Sequence, residues 1–238
     1  RDDALALMRE ITERDHIPLL VGGTMMYFRA LTEGLNDLPE ADPKVRLMID
    51  TMAEEGGWPS VHARLAKVDP ETAARLEPND SQRVQRALEI YLIAGQPMSK
   101  LLKKPKYVYF PYTPIRISLV PSDREVLHQR IARRFDEMIQ AGLVKELAGL
   151  RDEYGLEPGM PSMRSVGYRQ AWDHLEGRID LAGLRDQGIA ATRQLAKRQL
   201  TWLRSMENVT EFDCLSEGLD EMVLEYVRRE LEAQLMSE

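Results

Sequence analysis

The apolar residues of the 238-residue chain form short runs typical of strands and longer periodic patterns typical of helices. Residues 17–21 read Ile-Pro-Leu-Leu-Val, which predicts a strand buried on both faces, as in a parallel sheet. Residues 115–120 alternate and predict a second strand, and a short third strand is expected near residues 209–212. These strands among many helices predict an α/β fold, although a doubly wound sheet normally has more of them.

Helices are predicted over most of the remaining chain. Asp42 before Pro43 is typical of a helix start, and Asp80 is the expected cap of a later helix. Helical spacing covers residues 2–15, the segment after Thr24, several short stretches within 42–96, and residues 181–206 and 216–236. Breaks rich in glycine or proline at 34–39 and 97–114 set off residues 37–115 as a helical insertion into a core formed by 1–36 and 116–238.

The charge is unevenly distributed along the sequence. The net charge is −7, but residues 207–238 hold ten acidic residues and two arginines, which leaves +1 for the other 206 residues. Residues 82–106 hold six Lys or Arg against one Glu, and residues 164–206 hold eight against four acidic residues. An acidic tail therefore masks two basic segments, each of which is either a solvated helix face or a surface for an anionic partner.

Cysteine usage and hydropathy exclude several classes of protein. The single Cys214 excludes an internal disulfide framework and a cysteine-based metal cluster, and four scattered histidines argue against structural zinc. No apolar run reaches membrane-spanning length, and no signal peptide precedes the first helix. A reducing cytoplasm without a membrane partner is the expected location.

The segment Gly22-Gly23-Thr24 joins the first predicted strand to a helix. Two glycines allow a tight turn and a close approach of a ligand to the backbone, and the helix N-terminus after Thr24 favours an anion. The alternative is an ordinary strand-to-helix turn, because this short motif is a weak signal alone.

Two arginine pairs near helix starts are candidates for phosphate binding. Arg83 and Arg86, interleaved with glutamines, lie where the helix dipole disfavours positive charge. Arg130 and Arg134 are four residues apart and share a helix face. The alternative for the second pair is a set of ion pairs with Asp136 or Glu137, at the helix surface.

Two further segments combine cations with an aromatic ring. Tyr168 lies between Arg164 and Arg169, as in readers of single-stranded RNA, and Gly167 is expected within a helical stretch. The alternative is a helix crossing at Gly167 with Tyr168 in the core. On the long helix over 181–206 a basic stripe can follow a nucleic-acid backbone, and Trp202 is expected in the core rather than as a stacking platform.

Six segments together resemble the bacterial tRNA dimethylallyltransferases, also called tRNA isopentenyltransferases. They follow that family's order between residue 2 and about residue 213, and each is weak alone. The segments are Leu19-Leu20-Val21-Gly22-Gly23-Thr24 with Tyr27-Phe28, Asp42-Pro43 with Val45-Arg46, Pro78-Asn79-Asp80 with Gln82-Arg83 and Arg86-Ala87-Leu88-Glu89, Gln129-Arg130-Ile131 with Arg134-Phe135 and Met138, Val166-Gly167-Tyr168-Arg169-Gln170, and residues 191–199 with Thr201-Trp202-Leu203-Arg204.

The resemblance implies transfer of a dimethylallyl group from dimethylallyl diphosphate to N6 of the adenine 3′-adjacent to the anticodon in tRNA. The lone pair of that amine is delocalised, so the rate must come from stabilising the leaving diphosphate and from holding the reactants in line. Mg²⁺ is the implied cofactor, with no protein ligands assigned to it. The implied partners are the anticodon stem-loop and dimethylallyl diphosphate, bound by a monomer.

Residue roles follow from the same resemblance. Thr24 is implied at the reaction centre in contact with the target nucleotide, and Arg134 is implied as a diphosphate ligand supported by Gly22, Gly23 and Arg130. The insertion is implied to close over the anticodon loop. The implied tRNA contacts are Thr24, Arg46, Gln82, Arg83, Val84, Gln85, Arg86, Arg164, Ser165, Val166, Gly167, Tyr168, Arg169, Lys197, Arg198, Gln199, Leu200, Thr201, Trp202, Leu203 and Arg204.

The sequence departs from the family in one respect. The family begins with a P-loop, Gly-x-x-x-x-Gly-Lys-Ser/Thr, followed by an aspartate base, and no Gly-x-x-x-x-Gly-Lys string occurs here. We therefore expect a P-loop-NTPase-like parallel sheet core with its N-terminal strands missing, a mostly helical inserted domain and a helical C-terminal half. A non-catalytic tRNA-binding fragment and a prenyltransferase for adenine nucleotides are the alternatives, and the basic insertion argues against the second.

Overall fold

The computed structural model describes residues 1–104 and 109–236, and these are mostly helical with one small parallel sheet. Residues 105–108, in the predicted linker, lie outside the described residues. The strands are β1 (Ile117–Val120) and β2 (Thr210–Asp213), and a short 3-10 helix covers Pro161–Arg164. The helices are α1 (Asp2–Glu13), α2 (Met25–Glu33), α3 (Pro43–Val68), α4 (Pro70–Ala73), α5 (Ser81–Ala94), α6 (Met98–Leu102), α7 (Arg124–Gln140), α8 (Leu143–Tyr154), α9 (Tyr168–Leu175), α10 (Leu181–Arg204) and α11 (Leu219–Leu235).

The chain divides into two compact units. Unit 1 comprises Arg1–Leu20 and Met26–Pro111, and unit 2 comprises Val21–Met25 and Tyr112–Glu238. The core and insertion boundaries drawn from the sequence, at 37 and 115, stay a prediction. No helix among the described residues is both long and apolar enough to cross a membrane.

Strands β1 and β2 pair in parallel, with Ile117 opposite Thr210 and Val120 opposite Asp213. The predicted strands at 115–120 and 209–212 are therefore confirmed to within two residues. The Asp213 carboxylate accepts a hydrogen bond from the backbone N–H of Ser122 at 3.0 Å. Hydrogen bonds from Ser122 lower the pKa of Asp213, so this carboxylate stays charged beside the end of β1.

The predicted strand over residues 17–21 is wrong. The segment has no strand assignment, and Leu19 and Val21 are 83% and 86% exposed. A buried parallel strand needs a hydrogen-bonded neighbour and apolar cover on each face. Among the described residues β1 pairs only with β2, so the apolar pattern at 17–21 has no strand partner there.

Unit 1 is built on the packing of α3 against α5, around Ile49, Leu65 and Leu88. Asp42 and Asp80 cap these helices as predicted, since their carboxylates accept backbone N–H groups of the first turn. The expectation of several short helices over 42–96 is confirmed, because the 26 residues of α3 form two helices that meet at a kink, and α4 and α5 follow. The kink lies at Gly57, whose φ of +73° interrupts the helical backbone.

A buried carboxylate organises the polar interior of unit 1. Glu89 on α5 is fully buried and accepts hydrogen bonds from Arg46 Nε at 2.9 Å and Arg86 at 2.6 Å. It also accepts the Asp42 backbone N–H at 3.0 Å, while Arg86 donates to the Pro39 carbonyl at 2.7 Å. Burial raises the pKa of Glu89, but the hydrogen bonds from both arginines outweigh burial and hold it below its usual value. Glu89 therefore ties α3, α5 and the preceding loop together as a charged group.

The helices of unit 2 pack α10 against α7 and α9 around Phe135, Trp172 and Leu184. A Cβ at position 188 would overlap the ring of Phe135, so only glycine fits there. Close by, Arg185 on α10 donates to both carboxylate oxygens of Asp136 on α7, at 2.5 and 3.0 Å. These hydrogen bonds lower the pKa of Asp136 and fix the register of the two helices.

We predict that Gly188→Ala lowers the free energy of unfolding by about 2 kcal/mol, because the added methyl group displaces the Phe135 ring from a packed core. Gly149→Ala on α8 is the matched control, since nothing lies within 4 Å of a Cβ there. That variant should gain up to about 1 kcal/mol from helix propensity. Urea denaturation of both variants tests this, and equal stability of the two would contradict the packing argument.

We predict that Glu89→Gln costs unit 1 on the order of 3 kcal/mol at neutral pH, because it leaves two arginines around a neutral group. The folded pKa of Glu89 is depressed, so its contribution is present above the ordinary value of 4.5 and is lost as pH falls through the folded pKa. The difference from the unsubstituted protein should therefore stay constant from about pH 7 down to about pH 5 and shrink at lower pH.

Glu33→Gln, which breaks the exposed Arg29–Glu33 pair, serves as the control for Glu89→Gln and should cost less than about 1 kcal/mol. Urea titrations followed by circular dichroism measure both variants. A pH-independent loss for Glu89→Gln would show that the charge on Glu89 does not stabilise the fold.

Candidate functional site

The turn Gly22-Gly23-Thr24 lies immediately before α2, and all three residues are exposed. The side-chain amide of Gln199, on α10, donates a hydrogen bond to the Gly23 carbonyl at 2.8 Å across 176 positions of sequence. A Cβ at Gly23 would overlap the same amide nitrogen. Two segments predicted separately from the sequence therefore meet in unit 2.

The C-terminal half of α10 is strongly cationic. Residues 190–204 contain no acidic residue, and their four cations are exposed and make no ion pair or side-chain hydrogen bond among the described residues. These cations are Arg193, Lys197, Arg198 and Arg204. Trp202 beside them is 39% exposed, so the expectation that it belongs to the core is wrong. This stretch offers positive charge and an aromatic surface to an anionic partner.

The other predicted members of this stretch have mixed exposure. Thr201 is exposed, and its hydroxyl donates back to the Lys197 carbonyl at 2.9 Å. Leu200 and Leu203 are half-buried and lie on the inner side of the helix. The exposed residues of this stretch can therefore contact a ligand directly, whereas the two leucines have less accessible surface.

The acidic residues of the basic segment 164–206 are all used internally. Asp173 pairs with Arg178 at 2.8 Å, and Glu176 pairs with Arg151 at 2.9 Å. Asp180 caps α10, and Asp186 lies 3.4 Å from the paired Arg185. None of these carboxylates neutralises the cations at the other end of α10, so the positive charge predicted from composition remains available.

Arg130 and Arg134 on α7 are exposed, and neither forms an ion pair within residues 1–104 or 109–236. The carboxylates considered as their partners are engaged elsewhere, since Glu137 lies 3.9 Å from Arg133 and Asp136 binds Arg185. The ion-pair alternative is therefore not the arrangement seen. Arg134 directly precedes Phe135, the residue that packs on Gly188 of α10. The contact between α7 and α10 thus anchors the helix that carries this free arginine.

The segment 164–169 contains two arginines with no partner among the described residues, and other residues of the segment line a cavity. Arg164 and Arg169 are exposed, and the half-exposed Tyr168 donates a hydrogen bond to Glu146, which raises the pKa of Tyr168. A cavity of about 330 Å³ is lined by side chains including Tyr168, Val166 and Ser165. Sequence reasoning missed Glu146, because it lies on α8 and only the packing of α8 on α9 brings it to Tyr168.

The prediction that Gly167 lies within a helix is wrong. Gly167 is the residue before α9, with φ of +100°, and its N–H donates to the Gln170 side chain at 2.9 Å. A residue with a side chain is strained in that conformation. The glycine therefore serves a helix start rather than a helix crossing.

In unit 1, the predicted tRNA-contacting segment 82–86 contains both exposed and buried residues. Gln82 and Arg83 are exposed, and Arg83 pairs with the capping Asp80. Val84 is fully buried, so direct ligand contact by its side chain is contradicted, because no surface of it is accessible. Gln85 donates to Asp50 at 2.6 Å.

Both predicted arginine contacts around Glu89 carry structural hydrogen bonds. Arg46 retains 45% side-chain exposure and Arg86 retains 34%, and each binds the buried carboxylate. Part of each guanidinium remains at the surface, so their contact with RNA stays a prediction.

The part of the chain that the structure describes has no cluster of side chains that could by itself bind the implied Mg²⁺. No group of three or more His, Cys, Asp or Glu side chains there is placed to hold a metal ion. Mg²⁺ binds diphosphate oxygens and water with few protein ligands, so a dedicated cage is not required.

Comparisons with known proteins give a consistent result. A family model described as IPP transferase matches residues 1–206. A protein of Nitrosospira multiformis named tRNA dimethylallyltransferase is 54% identical over 227 residues, covering 95% of this chain and 70% of the relative. A protein of the same name from Thiobacillus denitrificans is 57% identical over 220 residues, covering 92% and 70%.

Solved structures agree with the sequence relatives. The full-length tRNA isopentenylpyrophosphate transferase of Bacillus halodurans is 34% identical with a TM-score of 0.64, covering all of this chain and 75% of that one. A eukaryotic dimethylallyltransferase acting on tRNA is 26% identical with a TM-score of 0.65, covering 88% and 54%. The chain therefore belongs to the IPP transferase family.

Proposed function

We propose that this chain transfers a dimethylallyl group from dimethylallyl diphosphate to N6 of the adenine 3′-adjacent to the anticodon in tRNA. In this reaction the amine nitrogen bonds to the allylic carbon, the bond from that carbon to the diphosphate oxygen breaks, and the nitrogen loses one proton. The names of relatives at 54% and 57% identity and the IPP transferase match support this reading.

The observation that carries the proposal is the hydrogen bond from Gln199 to the Gly23 carbonyl. It brings the turn that precedes Thr24 against the helix that carries four unpaired cations. A prenyl transfer to RNA needs a reaction centre and a phosphate-binding surface held in fixed relation, because rate depends on alignment of the two substrates. The contact between the turn and α10 supports assigning both to unit 2.

Stabilisation of the leaving diphosphate is assigned to Arg134 with support from Arg130. Both guanidinium groups are exposed and free of ion pairs among the described residues, so no bond within the protein has to break before they bind an anion. Guanidinium groups bind phosphate oxygens through charged hydrogen bonds. The N–H groups at the start of α2, beside Gly22 and Gly23, add a further favourable site for negative charge. Mg²⁺, when bound, supplies additional charge neutralisation on the diphosphate.

Binding of the anticodon stem-loop is assigned to the exposed cations of three segments. In unit 2 these are the stretch 197–204 of α10 and the segment 164–169, where Tyr168 adds an aromatic ring. In unit 1 Gln82, Arg83 and the exposed parts of Arg46 and Arg86 are the contacts. Phosphate contacts by such side chains position RNA, and stacking on Tyr168 or Trp202 holds unpaired bases.

Thr24 is assigned to the target nucleotide. Its side chain is exposed at the end of the turn, directly after the carbonyl that Gln199 fixes. A hydroxyl group both donates and accepts hydrogen bonds, which suits the edge of an adenine extruded from the loop.

The type of sheet core, the oligomeric state and the location of the enzyme are part of the same proposal. The parallel pair β1 and β2, flanked by helices, is the part of a P-loop-NTPase-like core that this chain contributes. The same proposal includes the expectation that the enzyme acts as a monomer in the cytoplasm.

Mass spectrometry of the RNA tests the proposed function. The protein is incubated with dimethylallyl diphosphate, Mg²⁺ and a synthetic anticodon stem-loop, and the RNA is then weighed. We expect one added dimethylallyl group, which disappears when the target adenine is replaced by guanine. RNA of unchanged mass in the presence of tight stem-loop binding would favour a non-catalytic RNA-binding protein instead.

We predict that Arg134→Ala slows turnover by about 100-fold and leaves stem-loop affinity within about 3-fold, because its charge acts on the leaving group. Arg133→Ala is the matched control, since this neighbour is equally exposed and is paired with Glu137. Single-turnover kinetics and fluorescence anisotropy separate the two effects. Equal losses of turnover and affinity would place Arg134 on the RNA instead.

A further inference from the structure

Gln199 uses its side-chain amide inside the protein. It lies between Arg198 and Leu200 on α10, is half-buried, and donates from Nε2 to the Gly23 carbonyl at 2.8 Å. This bond uses one of the two N–H groups of the amide, and its second N–H and its oxygen have no partner in the described part of the chain. This distinguishes Gln199 from Lys197 and Arg198, whose side chains have no partner in the described part of the chain.

The bond to Gly23 constrains Thr24. The carbonyl of Gly23 and the N–H of Thr24 belong to one planar peptide group. A bond that holds the direction of the carbonyl therefore also holds the plane of this peptide group, to which the Thr24 nitrogen belongs. A change in this plane rotates the Thr24 side chain relative to α10. The orientation of the exposed hydroxyl of Thr24 therefore depends on Gln199.

The absence of a side chain at Gly23 is a second observation in the same place. A Cβ at this position would overlap Nε2 of Gln199, whereas neither Gly22 nor Gly23 has a positive φ. Backbone conformation therefore does not require glycine at position 23. A side chain there would instead push aside the flexible end of Gln199, which would break its bond to the Gly23 carbonyl.

We propose that Gln199 is a positioning residue that holds the Gly23–Thr24 peptide against the RNA-binding helix. The turn at the reaction centre and the cations of α10 then move as one piece, so RNA bound along α10 is set in a defined position relative to Thr24. This inference rests on the proposed function and gives Gln199 a role inside the protein, while its contact with tRNA stays a prediction.

The principal test separates positioning from RNA contact. Gln199→Ala should lower kcat by about 10- to 100-fold while the KM for the stem-loop changes by less than about 2-fold, because alignment is lost and the phosphate contacts remain. Arg198→Ala should show the opposite pattern, with weaker stem-loop binding and a shallower salt dependence. Gln187→Ala, an exposed glutamine in the N-terminal half of the same helix, is the matched control and should leave both parameters unchanged.

A double-variant cycle tests the contact itself. Gly23→Ala alone should lower kcat about as far as Gln199→Ala, because its methyl group pushes the Gln199 amide away and breaks the same bond. Gly23→Ala combined with Gln199→Ala should then be no slower than either single variant. If kcat of the double variant falls by the product of the two single losses, the two residues act independently and the proposal is wrong.

Amide hydrogen exchange supplies a readout that does not depend on activity. In Gln199→Ala the amides of residues 22–25 should exchange faster than in Gln187→Ala, because the turn has lost its bond to α10. Gln199→Glu should behave like Gln199→Ala at neutral pH, since an ionised carboxylate cannot donate to the carbonyl.

The outcomes distinguish this inference from the proposed function. If the unsubstituted protein adds no dimethylallyl group to RNA, the proposed function fails, whatever the exchange data show. If it does add the group and Gln199→Ala retains full kcat or loses mainly stem-loop affinity, the positioning role is wrong.

Discussion

The close approach of α10 to its neighbours is the constraint on which unit 2 depends. At Gly188 the helix backbone lies directly against the ring of Phe135, and at Gln199 its side chain reaches the backbone of Gly23. The first contact needs glycine, because a Cβ at position 188 would meet the Phe135 ring, whereas a Cβ at Gly23 would meet only the flexible end of Gln199. The Arg185–Asp136 pair near the first contact fixes the register, so the position of every later residue of α10 follows from it. A helix held in this way can present cations at defined positions, which a flexible basic tail cannot do.

The distribution of charge follows from how the carboxylates are used. In unit 2 the four acidic residues of the segment 164–206 cap a helix or pair with arginines other than those of residues 190–204. In unit 1 the buried Glu89 engages Arg46 and Arg86, so two cations of the basic insertion also stabilise its interior. Net charge therefore gives little information on an anion-binding surface, because the value of −7 includes an acidic C-terminal segment and ignores which cations are already paired.

Local sequence rules predicted the helices of this fold well and its sheet only in part. Asp42 with Pro43 and Asp80 gave correct helix starts, because capping depends on residues within one turn. The apolar run at 17–21 failed as a strand, because pairing depends on a distant segment that the run itself does not encode. The prediction for Gly167 was wrong for a related reason. The local sequence does not show whether this glycine lies inside a helix or, as the structure has it, between a 3-10 helix and the start of α9.

The candidate site shows more clearly that local sequence alone cannot predict tertiary contacts. Arg133 and Arg134 are adjacent and chemically identical, yet Glu137 lies within reach of the first, and the second has no acidic partner in the described chain. Gln199 carries the residue type expected of an RNA contact, and its amide is engaged by a carbonyl 176 positions away. Spacing identifies the helix face on which a side chain lies, but tertiary packing decides whether the side chain is free to meet a ligand. Assigning functional roles within a basic segment therefore requires knowledge of where each neighbouring carboxylate and carbonyl group lies, since those groups determine which cations and amides remain for the substrate.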